Sequence, residues 1–366
     1  MSSAPPDPTP DPTPDPAFAG PAPTPAPARG DQSRQGTTLR ATMAGGQITT
    51  ADHVSAERVE AAQGKAAVLR EALPWITRFH GNTVVIKYGG NAMVDEQLKR
   101  SFAADVALLH FVGLRPVIVH GGGPQISALA EQLGVTSTFV GGLRVTDAAM
   151  MDVVRMSLLG QVNPEVVGLV QSAGAPSVGV AGTDAGLLQV RPAVGPHGED
   201  LGLVGEVDRV DTTYLEELLD DGFLPVVATV ARDADGQERN VNADLAAGAI
   251  AAALGASKLV YLTDVPGLYL DFGDPDKQAL VSELSVDRLE RMLAADQLHE
   301  GMRPKVRSIV SAIRAGVPQA HILDGRVLHA VLIEVFTDEG VGTMVTQASL
   351  IREGAAAAPA HEERWA

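Results

Sequence analysis

Cysteine is absent from the 366 residues. Disulfides, thiolate metal sites and a cysteine nucleophile are therefore excluded. Long apolar runs are missing as well, since none reaches the ~18 residues that a membrane-spanning helix needs. The N-terminus has no basic segment leading into an apolar stretch, which argues against a secretory signal and for a cytoplasmic protein. Positive charge is scarce: 28 Lys and Arg stand against 45 Asp and Glu, a formal net charge of −17. Nucleic acid and anionic membranes are poor partners for such a chain, because both need a basic face. A few lysines gathered in a cleft can still set a local field for a small anionic substrate.

What is present reads as an ordinary globular protein, with 45% apolar and 20% charged residues. The length suffices for one large α/β domain or two lobes with a substantial core. Eleven of the 24 prolines fall between Pro5 and Pro27. Residues 1–54 are accordingly expected to be a disordered, partly polyproline-like tail. Met43 offers an alternative translation start within it. Residues 351–366, with an alanine run and mixed charges, are expected to be a second disordered tail.

Order is expected from residue 55. Leu69, Leu73 and Ile76 recur at helical spacing, with Ala66, Ala72 and Phe79 near the same face. Pro74 should kink this helix and Gly81 should end it. The helix, over residues 55–80, precedes the first strand. Its apolar face must be buried on its own domain or on another subunit.

From residue 83 strands and helices alternate. Continuous apolar runs at 84–87, 116–120, 177–181, 223–229 and 258–262 suit buried parallel strands. Helical patterns at 98–109, 124–133, 243–254 and 304–315 intervene. A hairpin is expected over 187–191 and 203–210, and short strands near 320–323 and 342–345 close the chain. The fold class is α/β: a three-layer αβα sandwich around a mostly parallel central sheet, with the extra kinked N-terminal helix.

Five loops carry candidate chemistry. Lys87, Tyr88, Gly89, Gly90 and Asn91 lie at the C-terminal end of the first strand, the edge where open α/β sheets bind ligands. The two glycines let backbone N–H groups approach a phosphate, and a lysine ending an apolar strand asks for an anion. His120, Gly121, Gly122, Gly123 and Pro124 run from the next strand into a helix, whose N-terminus is an anion site. His120 itself suits a structural hydrogen-bonding role. Neither loop is a P-loop or a dinucleotide fingerprint. Gly141 through Asp147 brings Arg144, whose planar fork can grip a carboxylate. Asn240, Asn242 and Asp244 alternate ahead of an alanine-rich helix. An extended segment would send all three side chains one way, whereas helix capping explains one of them. Lys305, following Pro304, stands in the first turn of a helix, against the helix dipole, which suggests an anionic partner.

As an ordered set, these motifs resemble those of the N-acetylglutamate kinases, within the amino-acid kinase family. They are joined by Thr263, Asp264, Val265, Pro266, Gly267, Leu268 and by Gly301, Met302. The resemblance runs from about residue 66 to 346. It implies that Lys87 and Lys305 stabilise the transferring phosphoryl group and that Asp244 positions both. It also implies that Gly122, Gly123, Arg144, Asn240 and Asn242 contact N-acetyl-L-glutamate. Gly89, Gly90, Asp264, Val265, Pro266, Gly267, Leu268 and Tyr269 would lie along ATP, with Mg²⁺ held mainly by the nucleotide phosphates. Residues 81–230 would be the acetylglutamate-binding, dimerising lobe, and 231–350 the ATP lobe. The extra N-terminal helix resembles that of the arginine-inhibited branch, a hexamer built as a trimer of dimers. There His321, Glu334 and Gly340 would line an L-arginine effector site. One departure is Thr183, where relatives often carry a lysine.

Other readings stay open on residues alone: an aspartate, glutamate or carbamate kinase, an acetylglutamate synthase, or a non-catalytic arginine sensor. The absence of an appended domain after Thr346, the run from Gly142 to Thr146, and the retention of Lys87, Lys305 and Asp244 weigh against them.

Overall fold

The computed structural model describes residues 56–270, 279–295, 297–298, 300–337 and 340–347. The expected tails at 1–54 and 351–366 lie outside the described residues.

Among the described residues, eight strands form the central sheet: β1 Thr83–Tyr88, β2 Arg115–His120, β3 Ser177–Ala181, β4 Leu224–Ala228, β5 Lys258–Thr263, β6 Glu283–Ser285, β7 Gln319–Asp324 and β8 Thr343–Thr346. Their spatial order is β6-β8-β7-β5-β1-β2-β4-β3. Every neighbouring pair is parallel except β7 and β8. The strands before residue 230 thus occupy one half of the sheet and those after it the other, meeting at β1 and β5.

Among the described residues, ten α-helices accompany the sheet: α1 Ala56–Phe79, α2 Glu96–Phe111, α3 Gly123–Leu133, α4 Ala148–Ser157, α5 Asn163–Ser172, α6 Thr213–Asp220, α7 Ala243–Ala253, α8 Val286–Ala294, α9 Arg303–Arg314 and α10 Ala330–Phe336. Val84 and Ile86 of β1 join a core with α2, α5, α10 and the end of α1. Val85 joins the opposite core with α6, α7, α8 and α9. This period-two alternation between two covered faces explains why the central strands are apolar without a polar side. The expected αβα layering is what the chain forms.

The expected hairpin is half of a larger feature. Leu188–Val194, Asp200–Val210, Val230–Asp233 and Glu238–Val241 close into a small barrel. Its last two strands are short, with apolar residues only at Val230, Ala231 and Val241, and they turn through Gly236 at φ +81°. They therefore lack the apolar alternation that marks a strand.

Helix α1 is one element, with Pro74 inside it. Ala72, Trp75 and Ile76 pack partly on the core and Phe79 is buried. Val68 and Leu69 are 65% and 70% exposed. Gly81, at φ +78°, ends the helix and donates its N–H to the Gly113 carbonyl at 2.7 Å. No helix among the described residues is long and apolar enough to cross a membrane.

Candidate active site

The C-terminal ends of β1 and β2 pair in register, Lys87 beside Val119 and Tyr88 beside His120. The two glycine loops that follow them are therefore neighbours. A Cβ at Gly89 would lie 2.7 Å from Lys87 Nζ, and one at Gly90, where φ is +70°, would collide with the Asp264 carboxylate. The left-handed backbone at Gly90 favours glycine, and a Cβ at either position would displace the Lys87 or Asp264 side chain from this turn. On the second loop Gly122 packs under Leu158, and Gly123 is open toward the cavity.

His120 is fully buried and ties these loops down. Its Nδ1–H donates to the Gly121 carbonyl at 2.8 Å, and Nε2 accepts from Asn163 at 3.0 Å. The same Asn163 amide donates to the Val226 carbonyl at 2.8 Å. Burial pushes the His120 imidazole down to about 4, so it is neutral, as this bonding pattern requires. The expected structural role fits.

A cavity of about 270 Å³ opens at this edge. Lys87, Gly89, Gly90, Gly122, Gly123, Arg144, Asn240, Asn242 and Asp244, all singled out from sequence, line it. Leu158, Ile126, Phe139 and Val204 supply apolar wall.

Asp244 is the centre. Its Oδ1 lies 3.1 Å from Lys87 Nζ and 3.0 Å from Lys305 Nζ. Burial alone would raise its carboxyl, but the charges and hydrogen bonds of Lys305 and Lys87 outweigh it and hold the group at about 2. Lys305 sits behind Asp244 with 4% exposure. Burial, with Lys87 adding to it, pushes Lys305 down to about 8 against the pull of Asp244. Its ammonium also lies 4.9 Å from the centre of the Tyr261 ring.

Arg144 is held at the cavity rim by the short hairpin of Phe139–Val140 and Leu143–Arg144. Its guanidinium donates to Ser137 Oγ, Ser127 Oγ and the Gly123 carbonyl at 2.6, 2.9 and 3.1 Å, and it stacks 4.6 Å over Phe139. All these partners are neutral. Arg144 is thus largely buried, with only neutral groups accepting from its guanidinium among the bonds described, an arrangement able to receive an anion.

The three residues expected to alternate do different things. Asn240 lies in the barrel strand Glu238–Val241 and donates to Thr146 Oγ1 at 3.1 Å. Asn242 caps α7, its Oδ1 accepting from the N–H groups of Asp244 and Leu245. Asp244 is already in the first helical turn. The extended reading of this segment is therefore corrected after Asn242: a favourable N-cap starts the helix there, and its geometry rather than strand alternation aims Asp244.

Of residues 264–269, Asp264 lies against the Gly90 turn, outside the cavity lining. Leu268 is a core residue whose N–H donates to Thr343 Oγ1 at 2.9 Å.

The effector candidates also converge, away from this cavity. His321 Nδ1–H donates to Glu334 Oε1 at 2.6 Å, and Glu334 Oε2 accepts from Val341 N–H at 3.0 Å. Gly340, at φ +48°, abuts the same carboxylate. Lys258 donates to His321 Nε2 at 3.3 Å and to Gln319 at 2.9 Å, and lies 4.8 Å from the Phe79 ring. Burial lowers His321, leaving it neutral between the two.

Sequence reasoning missed Tyr261 and Ser308, whose hydroxyls lie at the Asp244 backbone carbonyl, and Gly248, which packs against Ser308. The available signal was faint: a hydroxyl inside an otherwise apolar strand, and a serine one helical turn after Lys305.

A sheet with two glycine loops at its carboxyl edge, and two lysines on one aspartate, suits a phosphotransferase. Residues 82–324 match the amino acid kinase family, and the chain belongs to it. It is 54% identical over 295 residues to the acetylglutamate kinase of Saccharopolyspora erythraea, covering 80% of this chain and 96% of the relative. It is 56% identical over 292 residues to that of Frankia alni, covering 79% and 84%. Among solved structures, the N-acetylglutamate synthase of Neisseria gonorrhoeae, complexed with coenzyme A and N-acetyl-glutamate, superposes with a TM-score of 0.68 at 29% identity. That match covers 77% of this chain but spans only 63% of the synthase. The carbamate kinase of Giardia lamblia bound to AMP-PNP shares the fold, with a TM-score of 0.56 at 20% identity, over 73% of this chain and 99% of the kinase.

Proposed function

We propose that this chain is an acetylglutamate kinase, which transfers the γ-phosphoryl group of ATP to the side-chain carboxylate of N-acetyl-L-glutamate. The product is N-acetyl-L-glutamyl 5-phosphate, and the reaction is the second step of arginine biosynthesis. The observation that carries the reading is Lys87 and Asp244 at the floor of a cavity rimmed by Arg144, with Lys305 bonded to Asp244 from behind. The relatives named above support the choice of acceptor.

The acceptor carboxylate, with an ordinary pKa near ~4, is ionised at pH 7 and needs no general base. One of its oxygens attacks the γ-phosphorus, the bond to the β,γ-bridging oxygen breaks, and ADP departs with that electron pair. No proton is transferred. Catalysis then rests on alignment and charge neutralisation. Arg144, Asn240 and Asn242 would orient the acceptor. Lys87 and Lys305, spaced by Asp244, would meet the phosphoryl oxygens from two sides, and Gly89 and Gly90 would offer backbone N–H groups. Residues 264–269 would run along the nucleotide.

Mg²⁺ would enter on the nucleotide phosphates and neutralise part of their charge. The donor set fits that: Asp244 Oδ1 already faces two ammonium groups, and the described residues gather no three His, Asp or Glu side chains as ligands.

His321, Glu334 and Gly340 would form an L-arginine effector site, supported by their convergence and by the carboxylate that a guanidinium ligand wants. A structure of the Neisseria synthase, 28% identical to this chain, was solved with coenzyme A and L-arginine. The exposed apolar residues of α1 support a homo-oligomer, a hexamer in which that helix interlaces dimers.

Hydroxylamine trapping of the acyl phosphate tests the activity. ATP-dependent hydroxamate should form with N-acetyl-L-glutamate. Formation only with aspartate or glutamate would reject the acceptor, and formation with none would reject the activity.

A further inference from the structure

Asp244 and Lys305 belong to different helices, and a hydrogen bond between their side chains does not by itself fix the spacing of α7 and α9. A second set of contacts does. Tyr261, fully buried in β5, stands in register beside Lys87 of β1. Its hydroxyl donates to Ser308 Oγ at 2.7 Å. Ser308, 2% exposed and on the same face of α9 as Lys305, donates in turn to the backbone carbonyl of Asp244. The Tyr261 hydroxyl lies 3.3 Å from that carbonyl.

The sequence makes room for this chain. Gly248 interrupts an alanine-rich helix, where glycine disfavours helix by roughly 1 kcal/mol relative to alanine. A Cβ at Gly248 would collide with Ser308 Oγ. The glycine is therefore what lets the serine hydroxyl reach the first turn of α7. The Tyr261 ring faces Lys305 Nζ, so one residue touches the lysine with its ring and the aspartate's helix through its hydroxyl.

We propose that Tyr261, Ser308 and Gly248 are positioning residues that clamp the first turn of α7 to α9 and set the Asp244–Lys305 spacing on which phosphoryl transfer depends. This rests on the activity proposed above. The clamp touches neither the cavity rim nor Arg144, so acceptor binding is independent of it. What it controls is where the Lys305 ammonium stands and how dry its surroundings are. The charged groups acting on that ammonium are Asp244, Lys87 and Asp264.

The test uses the full chain with Tyr261→Phe, Ser308→Ala, their double variant and Gly248→Ala. Tyr261→Phe keeps the ring and removes only the hydroxyl. The expected loss in kcat is about tenfold for either single variant, from one buried hydrogen bond left unmade. KM for N-acetyl-L-glutamate should stay within about twofold, while the double variant, cutting the same chain twice, should lose little more than either single one. The alkaline limb of kcat should move to higher pH as water reaches Lys305. Gly248→Ala should reproduce the kcat loss with both hydroxyls intact. An unchanged kcat in Tyr261→Phe and Ser308→Ala would overturn the proposal. So would losses that add fully and raise KM in parallel, the mark of general loosening. If wild type forms no acyl phosphate, the activity fails first. The clamp is then read separately, from the pH dependence of Lys305 acylation by acetic anhydride followed by mass spectrometry: an identical profile in wild type and Tyr261→Phe overturns it.

Discussion

Lys87 and Lys305 meet on a single oxygen of Asp244, at 3.1 and 3.0 Å. One lysine ends a strand near the start of the sheet, and the other opens a helix late in the chain. Two ammonium groups this close repel each other unless an anion lies between them, and Asp244 is that anion in the free protein. A phosphoryl group in transfer would provide a second.

Removing one ammonium should therefore cost turnover more than binding. Lys305→Ala is expected to lower kcat about 10²–10³-fold, the range seen when one charge-stabilising donor is lost. KM for N-acetyl-L-glutamate should change by less than about threefold, because Lys305 is absent from the cavity lining. Steady-state kinetics on both substrates check this, and a kcat within twofold of wild type would remove Lys305 from its role.

The cluster also sets opposite pH responses. Lys305 is depressed to about 8, below its ordinary 10.5, so its charged form is lost early. With Lys305 required as a cation, kcat should fall about tenfold per unit once pH exceeds about 8. Its contribution to stability runs the other way. Between 8 and 10.5 the unfolded chain holds the proton that the folded chain has released, so this group favours folding increasingly as pH rises. Asp244 is held at about 2, below its ordinary 3.8, so its contribution is present above 3.8 and is lost as pH falls toward 2. A pH–rate profile, beside melting temperatures over the same range, separates the effects. Activity that stays flat to pH 10 would show that Lys305 does not carry the chemistry.

Much of this architecture was legible in the sequence because its signals are local. Apolar runs mark the central strands, since both faces of the sheet are covered. Glycine pairs mark the loops after β1 and β2, where backbone and ligand must approach closely. The small barrel was half visible: Leu188–Val194 and Asp200–Val210 carry several spaced apolar residues, while Val230–Asp233 and Glu238–Val241 offer only Val230, Ala231 and Val241. The Asn240, Asn242 and Asp244 segment was misread in part, because capping and strand alternation both place polar residues at even spacing. The Tyr261, Ser308 and Gly248 contacts were out of reach, since they depend on how α7 and α9 cross rather than on any spacing along the chain.

Glu334 accepts from both His321 and Val341, and it is the carboxylate of the proposed effector site. Glu334→Ala should raise the arginine concentration for half-inhibition by about tenfold or more, the effect of losing a charged hydrogen-bond partner. kcat without arginine should hold, because Glu334 does not line the catalytic cavity. Inhibition curves for wild type and variant decide the matter, and superimposable curves would reject the assignment.

The N-terminal helix gives the assembly prediction. Its last turns are anchored by Trp75, Ile76 and Phe79, but Val68, Leu69 and Leu73 are 65%, 70% and 56% exposed. Aliphatic side chains one helical turn apart, left in water on a helix otherwise polar there, gain from burial by roughly 25 cal/mol per Å² of apolar surface. A second copy of the chain, offering the same helix, would cover them by a self-complementary contact. Replacing Leu69 and Leu73 together with Asp keeps the anchoring residues and places two charges in that contact. Sedimentation velocity should then show the proposed hexamer shifting to dimers, while the cavity, which uses no residue of α1, keeps its turnover without arginine. A hexamer that persists in the double variant would mean that another surface joins the dimers and that this stripe is only a solvated face.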